Sequence, residues 1–247
     1  MPEALPLILV PGLACTAELF AAQTAAFASR DIVVADTSGQ PTSGQDTGGQ
    51  DTGGPDTIAA IAADILAAAP PRFAVAGLSM GGYVCFELWR QAPQRIARFG
   101  LIDTQARPDT PAAADVRKRM IELGEEGQLD KIHEALWPRL IAPGRREDRA
   151  LEIVVRRMLQ QVGAEAFVRQ QRAILGRIDS RPILPTITVP ALVVVGADDQ
   201  ITPPDLAREM ADAMPDAELV VVPGAGHLSP LENPDAVTAA LVRWLAR

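Results

Sequence analysis

Six short apolar runs rich in Val, Ile and Leu punctuate the chain, at 5–10, 32–35, 73–76, 99–102, 191–195 and 219–222. Each is four to six residues long and ends at a Gly, Pro or Asp. None alternates polar with apolar residues, which is the pattern of strands buried on both faces. Helical signals lie between most of them. Asp56 and Thr57 open an Ala-rich helix that Pro70 and Pro71 stop, and a second helix runs over 80–91 until Pro93. Another begins at Thr202, Pro203 and Pro204 and ends before Pro215; the last covers 234–246 and carries Val237, Leu241, Trp244 and Leu245 on one face. Strands alternating with helices predict a parallel α/β sheet, and right-handed crossovers put helices on both of its faces.

The rhythm breaks once, between 102 and 191, where about 85 residues intervene with no strand signal. Their pattern is helical near 112–124, 127–136, 146–161 and 163–176. An insertion of that length after the fourth strand reads as a helical cap, so the chain divides into a first core part at 1–104, a cap at 105–185 and a second core part at 186–247. Charge separates the same pieces. Residues 105–185 hold 15 basic and 12 acidic residues (+3), which leaves 8 and 19 (−11) for the rest and sums to the net −8 of the chain. A tandem five-residue repeat, DTSGQ, PTSGQ, DTGGQ and DTGGP, fills 36–55. Nothing in it can pack a core, and it reads as a low-complexity expansion in a tolerant loop.

Composition narrows the function. With 48% hydrophobic and 22% charged residues in 247, the chain has the make-up of a globular protein. A net charge of −8 excludes a phosphate-neutralising nucleic-acid binder. Cys15 and Cys85 are too few for a disulfide framework and read as small buried hydrophobes. The first ten residues lack the basic n-region of a signal peptide, and no apolar run reaches the length of a membrane span. A cytoplasmic protein without a membrane partner is the expectation.

The chemistry gathers at Gly77-Leu78-Ser79-Met80-Gly81, a G-x-S-x-G that follows a strand and opens a helix. With six Ser and 19 Gly in the chain, chance would supply roughly 0.04 such matches. A serine hydroxyl is a weak nucleophile and needs a base. There are two histidines. His133 lies in the cap beside Glu134 and reads as surface decoration, whereas His227 follows the last strand and so reaches the same sheet edge as Ser79. The orienting acid belongs on a loop between them in chain order. Asp199 is the choice there, with its neighbour Asp198, and Asp103 after the preceding strand, as alternatives. The Met80 N–H and the Leu13 N–H, in the loop after the first strand, are the candidate oxyanion donors. Leu136, Trp137 and Met158 in the cap suit a pocket wall and core packing equally.

Taken together, Gly77 to Gly82, the spacing of Gly196, Asp199 and Pro203, and Gly226-His227 resemble the α/β-hydrolase family, in its branch of capped esterases and C–C hydrolases. The resemblance covers nearly the whole chain. It implies a Ser79, His227, Asp199 triad, an oxyanion hole from Leu13 and Met80, a cap over the site, and no cofactor or metal. Two departures stand out. Pro11-Gly12 replaces the usual His-Gly after the first strand, and the N-terminal hairpin of the family has no counterpart, so a trimmed sheet of about six parallel strands is expected. The expected activity is hydrolysis of a carboxylic ester or related acyl compound. C–C or enol-lactone hydrolysis with the same triad, and a non-catalytic ligand-binding role, are the alternatives. The basic cap further suggests an anionic substrate or an acyl carrier as partner.

Overall fold

A computed structural model describes residues 5–39 and 54–247. Most of the five-residue repeat, 40–53, lies outside them. Six strands, β1 (Leu7–Val10), β2 (Ile32–Val34), β3 (Phe73–Leu78), β4 (Ile96–Ile102), β5 (Ala191–Gly196) and β6 (Ala217–Val222), form one parallel sheet in the order β2-β1-β3-β4-β5-β6. The fold class is therefore the one predicted. The four inner strands, β1, β3, β4 and β5, are almost wholly buried because both faces of the sheet are covered there, whereas the edge strands β2 and β6 are only partly buried. Along β1, Ile8 and Val10 enter one core while Leu7 and Leu9 enter the other. The first core packs beneath α2 (Ile58–Ala68), α3 (Met80–Gln91) and α7 (Pro204–Ala213); the second packs beneath α9 (Pro234–Ala246), joined by Leu19, Phe20 and Phe27, which flank α1 (Ala21–Ala26), itself packed on α9.

Helix α3 is apolar around most of its circumference, since the sheet takes one side and α2 the other. Phe86 and Trp89 on it meet Phe99 of β4, with ring centroids 5.9 Å apart in both pairs. Sequence reading missed α1. It is six residues long, has no side-chain cap and carries no charge to mark a solvent face.

Between β4 and β5 the chain forms α4 (Pro111–Glu125), α5 (Leu129–Leu140) and α6 (Arg149–Leu175). Helix α6 breaks at Gly163, whose φ of +76° and ψ of 167° are not helical, so it is two helices meeting where the sequence separates them. These elements have their own small core of Ile132, Leu159, Val162, Ala166 and Phe167. They are tied to the sheet's loops by the buried side chain of Gln170, which accepts from the Ala14 N–H (3.0 Å) and donates to Thr37 O (3.1 Å). The short helix α8 (Ser229–Glu232) follows β6 and precedes α9.

Candidate active site

Ser79 stands between β3 and α3 with φ +53° and ψ −113°, a conformation that costs a non-glycine residue about 1–3 kcal/mol and persists only where its surroundings enforce it. Here they do. The Ser79 N–H donates to Ile102 O (3.0 Å), and its carbonyl accepts from the Gly82 N–H (2.9 Å) and Thr104 Oγ1 (2.7 Å). The flanking glycines are steric necessities. A Cβ on Gly77 would lie 2.2 Å from Gly81 O, and one on Gly81 would lie 2.1 Å from Val10 O.

His227 and Asp199 reach Ser79 from the loops after β6 and β5. His227 Nε2 is 2.9 Å from Ser79 Oγ, and its Nδ1 is 2.8 Å from Asp199 Oδ2. Both the imidazole and the carboxylate are buried, and Ser79 is half-buried. Asp199 is further held by the Ile201 N–H (2.8 Å), the Thr202 N–H (3.0 Å) and Thr202 Oγ1 (2.8 Å). Its exposed neighbour Asp198 does not reach the site with its side chain. Burial works against ionising either partner. The mutual attraction of Asp199 and His227 outweighs it, so the acid sits below its ordinary pKa and the histidine above.

Asp103, weighed above as the acid, has a different place. It is fully buried, adopts φ +43°, and accepts from the Gly196 N–H (2.8 Å) and the Ser229 N–H (3.1 Å), so one carboxylate bridges the loop of Asp199 and the loop of His227. Burial, then the charge of Asp199, pushes its pKa up to about 8. A third buried carboxylate, Glu232, was not found from sequence, where nothing distinguishes it from a surface residue of a helix start. Its Oε1 accepts from the Gly226 N–H (2.8 Å) and the Leu228 N–H (3.3 Å), and its Oε2 from the Ala142 N–H (2.8 Å). Together with the bond from the His227 N–H to Leu140 O (2.8 Å), this fastens the histidine loop to the end of α5.

Of the candidate oxyanion donors, Met80 opens α3, so its N–H has no acceptor within the helix. The Leu13 N–H makes no hydrogen bond among the described residues, while the adjacent Ala14 and Cys15 N–H groups are engaged by Gln170 and Gly12. Leu13 and Ser79 line one cavity of about 410 Å³, closed on its other side by α4, α5 and α6. Its wall is mainly apolar, with Met120, Leu136, Leu159 and Ile174 among the contributors. Trp137 and Met158 belong instead to the core on the α9 side of the sheet.

His133 corrects the sequence reading. It is buried at 3% exposure, lines the cavity, and stacks on Trp137 at 5.9 Å, with Nε2 3.5 Å from Glu152. Burial, then the charge of Arg156, holds its pKa below the ordinary range. The missed signal was helical period: Ile132, His133, Leu136, Trp137 and Leu140 share the inward stripe of α5. Cys15 and Cys85 are free, buried thiols, Cys15 pushed up to about 12 by burial and Cys85 also raised, as befits hydrophobes. Among the described residues no three His, Cys, Asp or Glu side chains cluster as metal ligands, and no helix is long and apolar enough to cross a membrane.

Known proteins share this arrangement of elements. The chain is 33% identical to a thermophilic esterase from Thermogutta terrifontis, with a TM-score of 0.87 over 99% of this chain and 90% of that one. It is 27% identical to the enol-lactonase from Burkholderia xenovorans LB400, with a TM-score of 0.85 over 99% and 92%. It is also 32% identical over 184 residues, 72% of this chain and 69% of the relative, to BpoC of Mycobacterium tuberculosis, a protein designated a non-heme bromoperoxidase. The sequence profile of the alpha/beta hydrolase family matches residues 7–240, and the chain belongs to that family.

Proposed function

We propose that the protein is a serine hydrolase that cleaves carboxylic esters, open-chain or lactone, through a covalent acyl-enzyme. The observation that carries this reading is the unbroken hydrogen-bond chain from Ser79 Oγ through His227 to Asp199, opening on a largely apolar cavity. A hydroxyl in that setting loses its proton to the imidazole as it attacks, which lowers the barrier by general-base catalysis.

In the proposed cycle Ser79 Oγ bonds to the acyl carbon while His227 Nε2 takes its proton. The negative oxygen that results is met by the Met80 and Leu13 N–H groups. The carbon–oxygen bond to the leaving alcohol then breaks, and His227 returns the proton to the departing oxygen. A water molecule, deprotonated by His227, adds to the acyl-enzyme, and Ser79 leaves with that proton while the free acid departs. Asp199 stays ionised throughout, holding the imidazole in orientation and stabilising its charged form. Helices α4–α6 act as the cap, and their side chains set which acyl chain fits.

The esterase and enol-lactonase similarities favour acyl chemistry, since an enol-lactone is itself a cyclic ester. Fluorophosphonate labelling, with Ser79→Ala as control, tests the nucleophile. Labelled wild type and unlabelled variant are expected, with hydrolysis of p-nitrophenyl esters that varies with acyl length. An unlabelled wild type would sink the reading, and labelling without turnover of esters or lactones would redirect it to C–C hydrolysis.

A further inference from the structure

We infer that the substrate carries a carboxylate besides the scissile acyl group, and that Arg117 and Arg139 are its counter-ions in the cavity wall. The inference rests on the serine-hydrolase reading and gives it a substrate class. The cavity's lining is unbalanced in charge. Arg117 and Arg139 contribute two cations, and Asp109 is the only carboxylate among the lining residues.

Asp109 is already shared. Its Oδ1 lies 2.8 Å from Arg177 Nη2, and its Oδ2 lies 2.9 Å from Arg117 Nε. The three side chains are 4%, 8% and 18% exposed for Arg177, Asp109 and Arg117, so two guanidiniums divide one carboxylate in a nearly dry site. An uncompensated buried cation is costly, and an anion from the ligand is the simplest compensation. The two arginines differ in what they have left to give. Arg177 faces the Tyr83 ring at 4.4 Å and also donates to Ile174 O and Arg107 O (3.1 and 3.3 Å). Arg117 donates to Asp109 and, at 2.6 Å, to Gln171 Oε1. A guanidinium has five N–H donors, so Arg117 retains two, at the cavity wall. Arg139 is exposed and forms no hydrogen bond or ion pair among the described residues, leaving its planar fork free for bidentate recognition.

The experiment compares kcat/KM for p-nitrophenyl hydrogen glutarate with that for p-nitrophenyl pentanoate, a neutral ester of the same backbone length, in wild type, Arg117→Met and Arg139→Met. The charged-to-neutral ratio is expected to exceed one in wild type, to shrink as salt is raised, and to fall about ten- to a hundredfold in at least one variant, the size of a lost charged hydrogen bond. Because a ratio is read, partial misfolding of Arg117→Met cancels, and Arg139→Met, at an exposed position, keeps the test open if the other variant does not fold. A wild type that prefers the neutral ester, or a ratio that neither substitution moves, overturns the inference. Loss of turnover of both esters together with fluorophosphonate labelling would instead remove the hydrolase reading on which it stands.

Discussion

At the scale of single residues, the site is decided by where carboxylates point. Three aspartates stood within reach in sequence, Asp103, Asp198 and Asp199, and composition could not rank them because all follow strand ends. The structure separates them by direction: Asp199 toward the imidazole, Asp198 toward solvent, Asp103 into the seam between two loops. The Asp199 role predicts a pH effect with a definite sign. His227 must be neutral to accept the serine proton, and it sits above its ordinary pKa of 6.5 despite burial, because of the charge and hydrogen bond of Asp199. The acidic limb of the kcat/KM profile is therefore expected above pH 6.5. Asp199→Asn removes the charge, so that limb should move to lower pH while kcat falls on the order of ten-thousandfold. A limb that stays in place would reassign the acid.

Whole elements were easier to read than their ends. Parallel strands announce themselves as apolar runs, the partly exposed edge strands β2 and β6 included, so all six were visible, yet β4 begins three residues before its apolar run because Arg98 interrupts the pattern. Its guanidinium escapes the sheet to donate to Trp244 O (3.3 Å), a tertiary solution that no local rule anticipates. The turn from β3 to α3 is the opposite case, legible because its steric demands leave only glycine. Gly81→Ala tests that demand. Its Cβ would meet the Val10 carbonyl at 2.1 Å, backbone against backbone, so neither side can yield by changing a rotamer. A loss of at least about 1–3 kcal/mol, read as a lowered denaturation midpoint, is expected, with a larger loss of activity because Ser79 rides on the same turn. A variant as stable and active as wild type would show that the turn has slack.

At the scale of the molecule, what the sequence could not convey is how separate loops are fastened together. Sheet order, the bridging by Asp103 and the anchoring of the histidine loop by Glu232 all depend on long-range contacts, which leave no local period to detect. These fastenings carry a cost that should be visible in global stability. Asp103, His227 and Glu232 all have folded-state pKa values above their ordinary ones: Asp103 at about 8 through burial and then Asp199, Glu232 through burial, and His227 through Asp199 against burial. A group whose pKa is raised by folding binds more protons folded than unfolded between the two values. Its contribution is complete below the unfolded pKa and is lost as pH climbs through the folded one. For Asp103 that window runs from 3.8 to about 8, the opposite sense to Asp199, whose lowered pKa adds stability that disappears on acidification. The melting temperature is therefore expected to decline between pH 6 and pH 9. Asp103→Asn, neutral at every pH and nearly isosteric, should flatten that decline, while lowering stability at pH 6 where the Asn amide faces one of the two N–H groups it replaces an acceptor for. A variant whose melting temperature falls with pH as steeply as the wild type would mean that Asp103 is ionised in the folded protein across the whole range, held so by His227 and its two backbone donors.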